Sequence, residues 1–447
     1  MPKYLENIKV ALVKSKNPLI YKAARWVKYQ LSRVRYYPKV RQAQKNSKTV
    51  LAKLKQDYGK RPIRVGFLVN KNELWSAQSL YQNLKANANF EVKVILTPFN
   101  FEAENTDIPN WYRQNIAFFA GRNIPLELAY DINTFTALPL DNYRLDIVFY
   151  QRPWYILPFY EPLKLSRYSL TCYLPYCFYM LNVANNYFPH FQPFMWRYFV
   201  ESPLYEKDYK RKYGAKNVIG LGSLKFDEAI ISRSLQSSAN SAIKAVTAVN
   251  NAGKPVKKRI IYAPHHTFTG FPNRLSFTWS GEAILKLAQA TQNDFEWVIK
   301  PHPSFRQHTI AEGLLSESEI DNYLAAWQKL GAIYMGGDYQ QNVFAGSSLL
   351  ITDCISFLAE YLPVGAPIIE LISQYFNEKL YSVVGKQVVS ANYKVYNEKQ
   401  LMGTFDDLML KGHDPHAEAR AAVRARLVGD EPVGKKIADY LVKNLQS

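Results

Sequence analysis

The chain has 447 residues, more than one hydrophobic core usually supports, so its length predicts two domains. Apolar residues make up 48% of the chain and charged residues 21%, which excludes a disordered or fibrous protein. Only three cysteines are present, too few for a disulfide framework, and they indicate a reducing compartment. No secretory signal and no apolar run of about 18 residues is evident, so a cytoplasmic location is expected.

The positive charge is concentrated at the N-terminus. The formal net charge is +19, and residues 1–64 hold eighteen lysines and arginines against only Glu6 and Asp57. The rest of the chain is close to neutral. This asymmetry predicts a basic N-terminal arm, assigned to residues 1–62, on a nearly balanced globular body.

The arm is predicted to be helical and amphipathic. Apolar side chains recur at helical spacing, and lysines, arginines and interfacial aromatics flank them. This pattern is typical of a helix that lies on an anionic membrane surface, which would place the protein on the inner face of the cell membrane. A helix packed on the body would show the same pattern. Nucleic acid is the third reading, disfavoured because the body has no basic stripe. The apolar positions are Ile20, Ala23, Val27, Leu31 and Val34.

Residues 63–227 alternate between short apolar runs and helical segments. Apolar runs separated by crossovers predict parallel strands in a doubly wound sheet, and therefore a Rossmann-like N-terminal domain. The predicted strands are Arg64–Val69, Phe90–Leu96, Leu145–Tyr150, Leu170–Tyr176, Arg197–Val200 and Asn217–Leu221, with a helix at about 75–84.

A polar segment rich in Ser, Ala, Asn and Lys, residues 228–257, is predicted to be the linker. A second alternating series over 258–425 predicts another Rossmann-like domain. A final helix from about 415 to 445, with 426–447 assigned as a separate C-terminal element, could fold back across the first domain. The predicted strands are Arg259–Tyr262, Phe295–Lys300, Ala332–Met335, Leu349–Thr352 and Pro367–Leu371, and the predicted helices are Gly281–Gln289, Glu319–Leu330 and Ser356–Leu362.

Two histidine motifs follow predicted strands of the second domain. His265 and His266 come directly after the strand that Pro264 ends, and adjacent side chains there point to opposite sides, so one of them is expected to face the ligand. His302 lies between two prolines and follows Lys300. Proline restricts the backbone, so this imidazole is held in place in advance and could donate to a phosphate oxygen, with Lys300 adding charge.

A third polar motif, Thr352 to Glu360, spans a predicted strand end and helix start. Free amides at a helix N-terminus suit a pyrophosphate, and Ser356 adds a hydroxyl donor. Asp353 and Ser356 are also good helix caps, which is compatible with phosphate binding. Glu360 lies one turn further along the same face and could accept from ribose hydroxyls.

Together, Ala-Pro-His-His, Lys-Pro-His-Pro and Thr-Asp-x-x-Ser-Phe-Leu-Ala-Glu-Tyr-Leu resemble the CDP-glycerol glycerophosphotransferase family, which builds teichoic acids and capsule polymers. The segment 222–227, Gly-Ser-Leu-Lys-Phe-Asp, is similar to the family's interdomain segment. The resemblance covers roughly residues 143–375. It implies the GT-B fold, in which two Rossmann-like domains face a cleft and the second domain binds the nucleotide.

The chain departs from this family at two places. Polymerases of the family carry a Trp-His-Gly segment whose histidine is taken as the base, and the matching region here, Cys172–Tyr176, has no histidine. Ile355 stands where many members carry a small residue, which narrows the approach to the donor site. The first departure leaves the identity of the general base open, and the second leaves the identity of the donor open.

The sequence therefore predicts transfer of glycerol phosphate from CDP-glycerol to a lipid-linked or glycan acceptor at the membrane. His302 and one of His265 or His266 would act on the pyrophosphate, and Arg152 and Tyr176 would face the acceptor. No cofactor is expected, and no metal, since the acidic residues do not cluster as Mg²⁺ ligands would. The alternatives are a GT-B glycosyltransferase that uses a CMP- or UDP-sugar, and a catalytically silent homologue that binds a nucleotide or a protein partner.

Overall fold

The computed structural model describes residues 18–102, 106–131, 133–134, 136–181, 191–231, 257–266, 276–302, 304–330, 332–334, 344 and 346–447. The chain divides into two compact units. Unit 1 comprises residues 1–176, 183–224 and 433–447, and unit 2 comprises residues 177–182 and 225–432. Most of the predicted linker, residues 232–256, lies outside the described residues.

Unit 1 is built on a seven-stranded parallel sheet with the order β3-β2-β1-β4-β5-β6-β7. Both faces of its central strands are buried, which explains their near-continuous apolar runs. The strands are β1 Ile63–Val69, β2 Phe90–Leu96, β3 Leu126–Leu128, β4 Ile147–Tyr150, β5 Leu170–Tyr173, β6 Arg197–Val200 and β7 Val218–Gly220.

In the described part of unit 1, five α-helices precede or connect these strands. The predicted strand Leu170–Tyr176 ends three residues early, because Pro175 has no N–H to continue the ladder. β3 was not predicted, since it is a three-residue edge strand whose side chains are all half-buried. The helices are α1 Pro18–Asp57, α2 Gln78–Lys85, α3 Ile108–Ala120, α4 Pro162–Leu165 and α5 Pro203–Tyr213.

Residues 1–17 of the basic arm lie outside the described residues, and the described part forms the 40-residue helix α1, which continues through Pro38. Its C-terminal half packs on unit 1, where Ala43, Val50 and Leu54 are buried. In its N-terminal half Leu31 is 45% exposed and Val34 is 76% exposed. The C-terminal half of α1 is therefore a helix packed on the body, and membrane binding by the arm stays a prediction. None of the described helices carries an apolar run that could cross a lipid bilayer.

Unit 2 is built on a six-stranded parallel sheet with the order β10-β9-β8-β11-β12-β13. β13 was not predicted because it is a three-residue strand at the sheet edge, without a continuous apolar run. The strands are β8 Lys258–Ala263, β9 Phe295–Ile299, β10 Ile333–Tyr334, β11 Ser347–Thr352, β12 Ile368–Leu371 and β13 Tyr393–Val395.

The helices of unit 2 alternate with these strands. Trp327, in the helix Glu317–Lys329, is fully buried. Its ring stacks on that of Tyr262 in β8, with ring centroids 5.8 Å apart. The helices are α6 Phe277–Thr291, α7 Phe305–Ala311, α8 Glu317–Lys329, α9 Ile355–Glu360, α10 Val383–Val388, α11 Glu398–Phe405 and α12 Ala417–Leu427.

The single helix predicted over 415–445 is wrong, because the chain forms α12 and a separate helix, α13 Val433–Gln446. Gly429 has a φ of +71°, a left-handed conformation that stops α12, and Pro432 precedes α13. α13 returns to unit 1, where Ile437 and Leu441 join the apolar core. Unit 2 accordingly extends to Pro432.

Candidate anion-binding site of unit 2

The three polar motifs of unit 2 lie at the carboxyl ends of three adjacent parallel strands. β8 lies between β9 and β11 in the sheet, so the segments after residues 263, 299 and 352 meet at one edge. The carboxyl edge of an open α/β sheet is where such folds bind ligands. The sequence-based argument that these motifs share one edge is therefore consistent with the strand order.

Backbone hydrogen bonds tie the two histidine motifs together. The Lys300 amide donates to the Tyr262 carbonyl at 2.8 Å, and the His302 amide donates to the Pro264 carbonyl at 3.1 Å. These bonds extend the pairing of β8 and β9 beyond the strands. His302 is thus held beside the His265–His266 segment by the backbone, and its position does not depend on a bound ligand.

The third motif is tied to the first by side chains. Thr352 Oγ1 donates to the Ala263 carbonyl at 2.6 Å. Asp353 is 1% exposed, and its two carboxylate oxygens accept from the His265 amide and from Ser276 Oγ, each at 2.7 Å. These contacts give Asp353 a positioning role for the histidine loop. Its predicted contact with a nucleotide donor stays a prediction.

Four imidazoles form a cluster at this edge. The ring centroid of His266 lies 3.9 Å from that of His302 and 4.5 Å from that of His265. His308, on α7, was not predicted. Its Nδ1 lies 3.2 Å from Nδ1 of His266, so one of these two nitrogens donates to the other. We refer to His265, His266, His302 and His308 as the histidine cluster.

The protonation of His302 is fixed by its neighbour. The backbone N–H of Ser304 donates to Nδ1 of His302 at 3.1 Å. Since Nδ1 accepts, the proton of the neutral imidazole resides on Nε2. His302 therefore presents a hydrogen-bond donor while it carries no charge.

Burial and neighbouring basic side chains favour the neutral form of two of these imidazoles. Burial, followed by the proximity of His266, His308 and Lys300, lowers the pKa of His302 from 6.5 to about 3. Burial and the proximity of His308 also lower the pKa of His266. A neutral imidazole keeps one N–H group, so it can still donate a hydrogen bond to an anion. His302 therefore does not need to gain a proton to bind one.

The spacing of the cluster would also admit a metal ion. One ring nitrogen from each of His265, His266 and His302 lies within 4.8 Å of the other two. Imidazole binds metals through an unprotonated nitrogen. Binding through Nε2 of His302 would move its proton to Nδ1, where it would oppose the N–H of Ser304. The described contacts therefore suit an anion better than a metal.

Lys300 lies close enough to His302 to contribute to the lowering of the histidine's pKa. Its side chain is 5% exposed, and Nζ lies 5.9 Å from the ring centroid of Phe357. Ser356 Oγ lies 3.4 Å from Sγ of Cys354, a buried thiol whose pKa burial raises to about 11. The helix expected to open near Ser356 is present as α9, but it has only six residues, so its dipole is a weaker anion site than predicted.

Glu360 has a different partner from the predicted ribose. Its Oε1 accepts from Nζ of Lys225 at 3.0 Å, and the two side chains are 4% and 10% exposed. Lys225 lies in the segment 222–227 that resembles the family's interdomain segment, and both residues belong to unit 2. The pair fixes this segment to α9, and a ribose contact by Glu360 stays a prediction.

The predicted acceptor residues lie in unit 1. Arg152 is 2% exposed, and its guanidinium carbon lies 4.1 Å from the ring centroid of Phe99. Tyr176 is half-buried and meets Trp154 edge to face, with ring centroids 5.4 Å apart. Tyr173 is fully buried in β5 and stacks on Tyr198. The acceptor roles of Arg152 and Tyr176 stay predictions.

Comparison with known proteins shows the fold. No protein-family model matches the chain, and no curated protein sequence matches it. A UDP-GlcNAc 2-epimerase from Neisseria meningitidis bound to UDP-GlcNAc is similar, with a TM-score of 0.54, 13% identity, and coverage of 86% of this chain and 100% of the epimerase. The wall teichoic acid polymerase TagF, as a variant with CDPG, has a TM-score of 0.52 and 13% identity over 95% of this chain and 98% of its own.

The S. aureus MnaA–UDP structure is also similar, with a TM-score of 0.53, 12% identity, and coverage of 86% of this chain and 97% of its own. All of these identities are low, so the likeness establishes architecture only. The predicted fold class, two parallel-sheet α/β units of the GT-B type, is confirmed by the two sheets and by these neighbours.

Proposed function

We propose that the chain is a transferase whose unit 2 binds the diphosphate of a nucleotide-activated donor. The observation that carries the proposal is the hydrogen bond from the Ser304 N–H to Nδ1 of His302, because it leaves the imidazole proton on Nε2. A preorganised donor stabilises charge that develops on a leaving phosphate, and it needs no reorganisation during the reaction. The other imidazoles of the cluster and Lys300 supply further donors around the same anion.

The leading donor is CDP-glycerol. Support comes from the three motifs at one sheet edge, which resemble the glycerophosphotransferases, and from the fold shared with TagF. In this reaction an acceptor hydroxyl oxygen forms a bond to the phosphorus that carries glycerol. The bridging P–O bond breaks, CMP leaves with the electron pair, and the hydroxyl proton passes to a base.

A CMP- or UDP-sugar is the alternative donor. The epimerase and MnaA neighbours were solved with UDP-GlcNAc and UDP, and Ile355 narrows the approach to the site. With such a donor the acceptor oxygen would attack the sugar carbon, and the nucleotide phosphate would leave. The histidine cluster would serve the leaving phosphate in both reactions.

The proton acceptor is not supplied by the segment that matches the family's Trp-His-Gly. Cys172 and Tyr173 are both fully buried, and burial raises the pKa of Cys172 far above its usual value, so this thiol cannot act as a base near neutral pH. This feature favours the second candidate function, a homologue that binds a nucleotide without transferring its substituent.

The acceptor is proposed to lie at an anionic membrane surface, to which α1 binds through exposed residues between positions 31 and 41. Leu31, Val34 and Tyr37 are exposed there beside the exposed cations Arg35 and Lys39. Apolar and basic side chains together favour reversible binding to anionic lipid headgroups. This binding would hold the enzyme on the inner face of the cell membrane, beside a lipid-linked or glycan acceptor for cell-surface polymer synthesis.

Nucleotide release from a panel of CDP-glycerol, CMP-sugars and UDP-sugars tests the proposal. The assay uses the full chain on anionic vesicles that carry a lipid-linked polymer acceptor. Release of CMP from CDP-glycerol is the expected result. Release from a sugar donor alone would select the glycosyltransferase, and tight nucleotide binding without release from any donor would select the silent homologue.

A further inference from the structure

All strands in the sheet of unit 1 are parallel, and the order in which they are added along the sheet reverses between β1 and β4. β2 and β3 extend the sheet on one side of β1, and β5 to β7 extend it on the other side of β4. Crevices outside the carboxyl ends of strands at such a reversal are ligand sites in open α/β sheets. Asn70 directly follows β1, and Gln151 directly follows β4.

A small cavity lies at this point. It encloses about 10 Å³, room for one water-sized group. Backbone and side chains from the ends of β1, β2 and β4 line it, and we refer to it as the switch-point cavity. Its lining includes Asn70, Thr97, Phe99, Gln151, Arg152 and Tyr155.

Polar atoms in the cavity are buried without protein partners. Gln151 is 2% exposed, and neither its Oε1 nor its Nε2 has a hydrogen-bond partner in the described ranges. The Oδ1 atom of Asn70 is likewise buried and unpartnered within those ranges. Burying a polar group without a partner lowers the stability of the folded state. An apolar side chain would fill a purely structural position better, so these amides point to an occupant of the cavity.

Cations and a strained residue surround the cavity. The guanidinium of Arg152 lies over the Phe99 ring, and Nζ of Lys71 lies 5.6 Å from the centroid of the same ring. Tyr155 adopts the left-handed region with a φ of +57°, which is uncommon for a bulky side chain, and its carbonyl accepts from the Asn100 amide. Strain of this kind persists at ligand sites, where the surrounding structure holds it in place.

We propose that Gln151 and Asn70 recognise one hydroxyl of the acceptor, while Arg152 meets an anionic group next to that hydroxyl. A hydroxyl donates once and accepts twice, so it can donate to a carbonyl oxygen of Asn70 or Gln151 and accept from Nε2 of Gln151. The size of the cavity fits a single hydroxyl and not a whole molecule. The identity of the ligand as the acceptor rests on the proposed function, whereas the existence of the site rests on the cavity and its buried amides.

The test compares the wild-type chain with Gln151→Met, which keeps the length of the side chain and removes both polar atoms. Gln289→Met is the matched control, because Gln289 is exposed on α6. Glycerol 3-phosphate is the probe in calorimetric titrations, with glycerol and inorganic phosphate in separate arms. Thermal unfolding of each variant is measured in parallel.

We expect wild type and the control to bind glycerol 3-phosphate more tightly than either fragment. Gln151→Met should bind it at least about 10-fold more weakly, with an unfolding temperature equal to or above that of wild type. Equal affinity in Gln151→Met, or a wild type that binds none of the three probes, would overturn the inference. Cytidine diphosphate is titrated in the same samples, because its binding is proposed to depend on unit 2. If wild type binds glycerol 3-phosphate as expected but does not bind cytidine diphosphate, the proposed function fails while the inference stands.

Discussion

The backbone N–H of Ser304 donates to Nδ1 of His302 at 3.1 Å, and this contact determines which nitrogen of His302 carries the proton. A backbone N–H cannot accept, so the neutral imidazole must hold its hydrogen on Nε2. Burial and nearby cations lower the pKa of His302 to about 3, so the imidazole stays neutral over the working range of most enzymes. Hydrogen bonding, and not positive charge, is therefore what His302 offers a ligand.

Replacing His302 with alanine should lower nucleotide release at least ~100-fold, because a preorganised donor to the leaving phosphate is lost. The measurement is turnover with whichever donor of the panel is active. His413→Ala is the control, since His413 is exposed in unit 2. Turnover of His302→Ala at the wild-type level would mean that the Lys-Pro-His-Pro segment is only a rigid turn.

The stability of the protein should depend on pH through His302. Its pKa is about 3 in the folded state and about 6.5 when unfolded, so between these values the unfolded chain binds more protons. The free energy of unfolding should therefore be fully present above pH 6.5 and fall as the pH drops from 6.5 toward 3. Denaturant titrations of wild type and His302→Asn measure this difference, because an amide does not titrate.

A slope of unfolding free energy against pH that is the same in His302→Asn and in wild type would show that the imidazole is not desolvated as described. Turnover gives a second check. Since His302 stays neutral from pH 6 to 9, the variant should change the size of the rate and not the shape of its pH profile in that range.

The buried pair of Lys225 and Glu360 should be important for stability. Glu360→Gln leaves the Lys225 ammonium buried without its carboxylate, which typically costs about 3–5 kcal/mol when a buried pair loses one member. Chemical denaturation measures the change. Glu282→Gln is the control, because its pair with Lys286 is solvent-exposed and should contribute little. A loss in Glu360→Gln no larger than in the control would contradict the pairing.

Membrane binding should require the exposed basic residues of α1 between residues 31 and 41. Removing residues 1–61 is not a clean test, because Val50 and Leu54 of α1 are part of the core of unit 1. Changing Arg35, Lys39 and Arg41 to serine leaves these buried residues in place. Each lost cation should reduce binding to anionic vesicles by about 1 kcal/mol, and added salt should weaken the binding of wild type.

The matched control replaces three exposed lysines of unit 1 outside α1, namely Lys207, Lys210 and Lys216. Co-sedimentation with vesicles rich in anionic lipid compares the two triple variants with wild type. If the control loses as much binding as the α1 variant, then net charge and not this surface is responsible. If wild type binds equally well at high salt, the electrostatic contribution is absent.

The sequence could predict the strands that are buried on both faces, because burial requires an apolar run such as the one in β1. It could also place the three polar motifs on one sheet edge, since parallel strands share the direction of their carboxyl ends. Edge strands such as β3 gave no such signal. The break between α12 and α13 was missed, although Gly429 and Pro432 are residues that commonly end or begin helices.

The finer contacts of the site depend on the path of the chain in three dimensions. Lys225 and Glu360 are 135 positions apart, and His265 and Asp353 are 88 apart, so no local pattern pairs them. His308 could have been suspected, because it falls one turn into the helix that follows His302. Gln151 gave no signal, since its environment becomes visible only when the ends of β1 and β4 are brought together.

Calorimetric binding of cytidine, CMP and CDP to wild type and His302→Ala tests the central claim most directly. If the histidine cluster binds a diphosphate, wild type should bind CDP at least ~10-fold more tightly than CMP, and CMP more tightly than cytidine. The gap between CDP and CMP should shrink in His302→Ala and persist in His413→Ala. Equal affinity for CDP and CMP in wild type, or an undiminished gap in His302→Ala, would contradict the account.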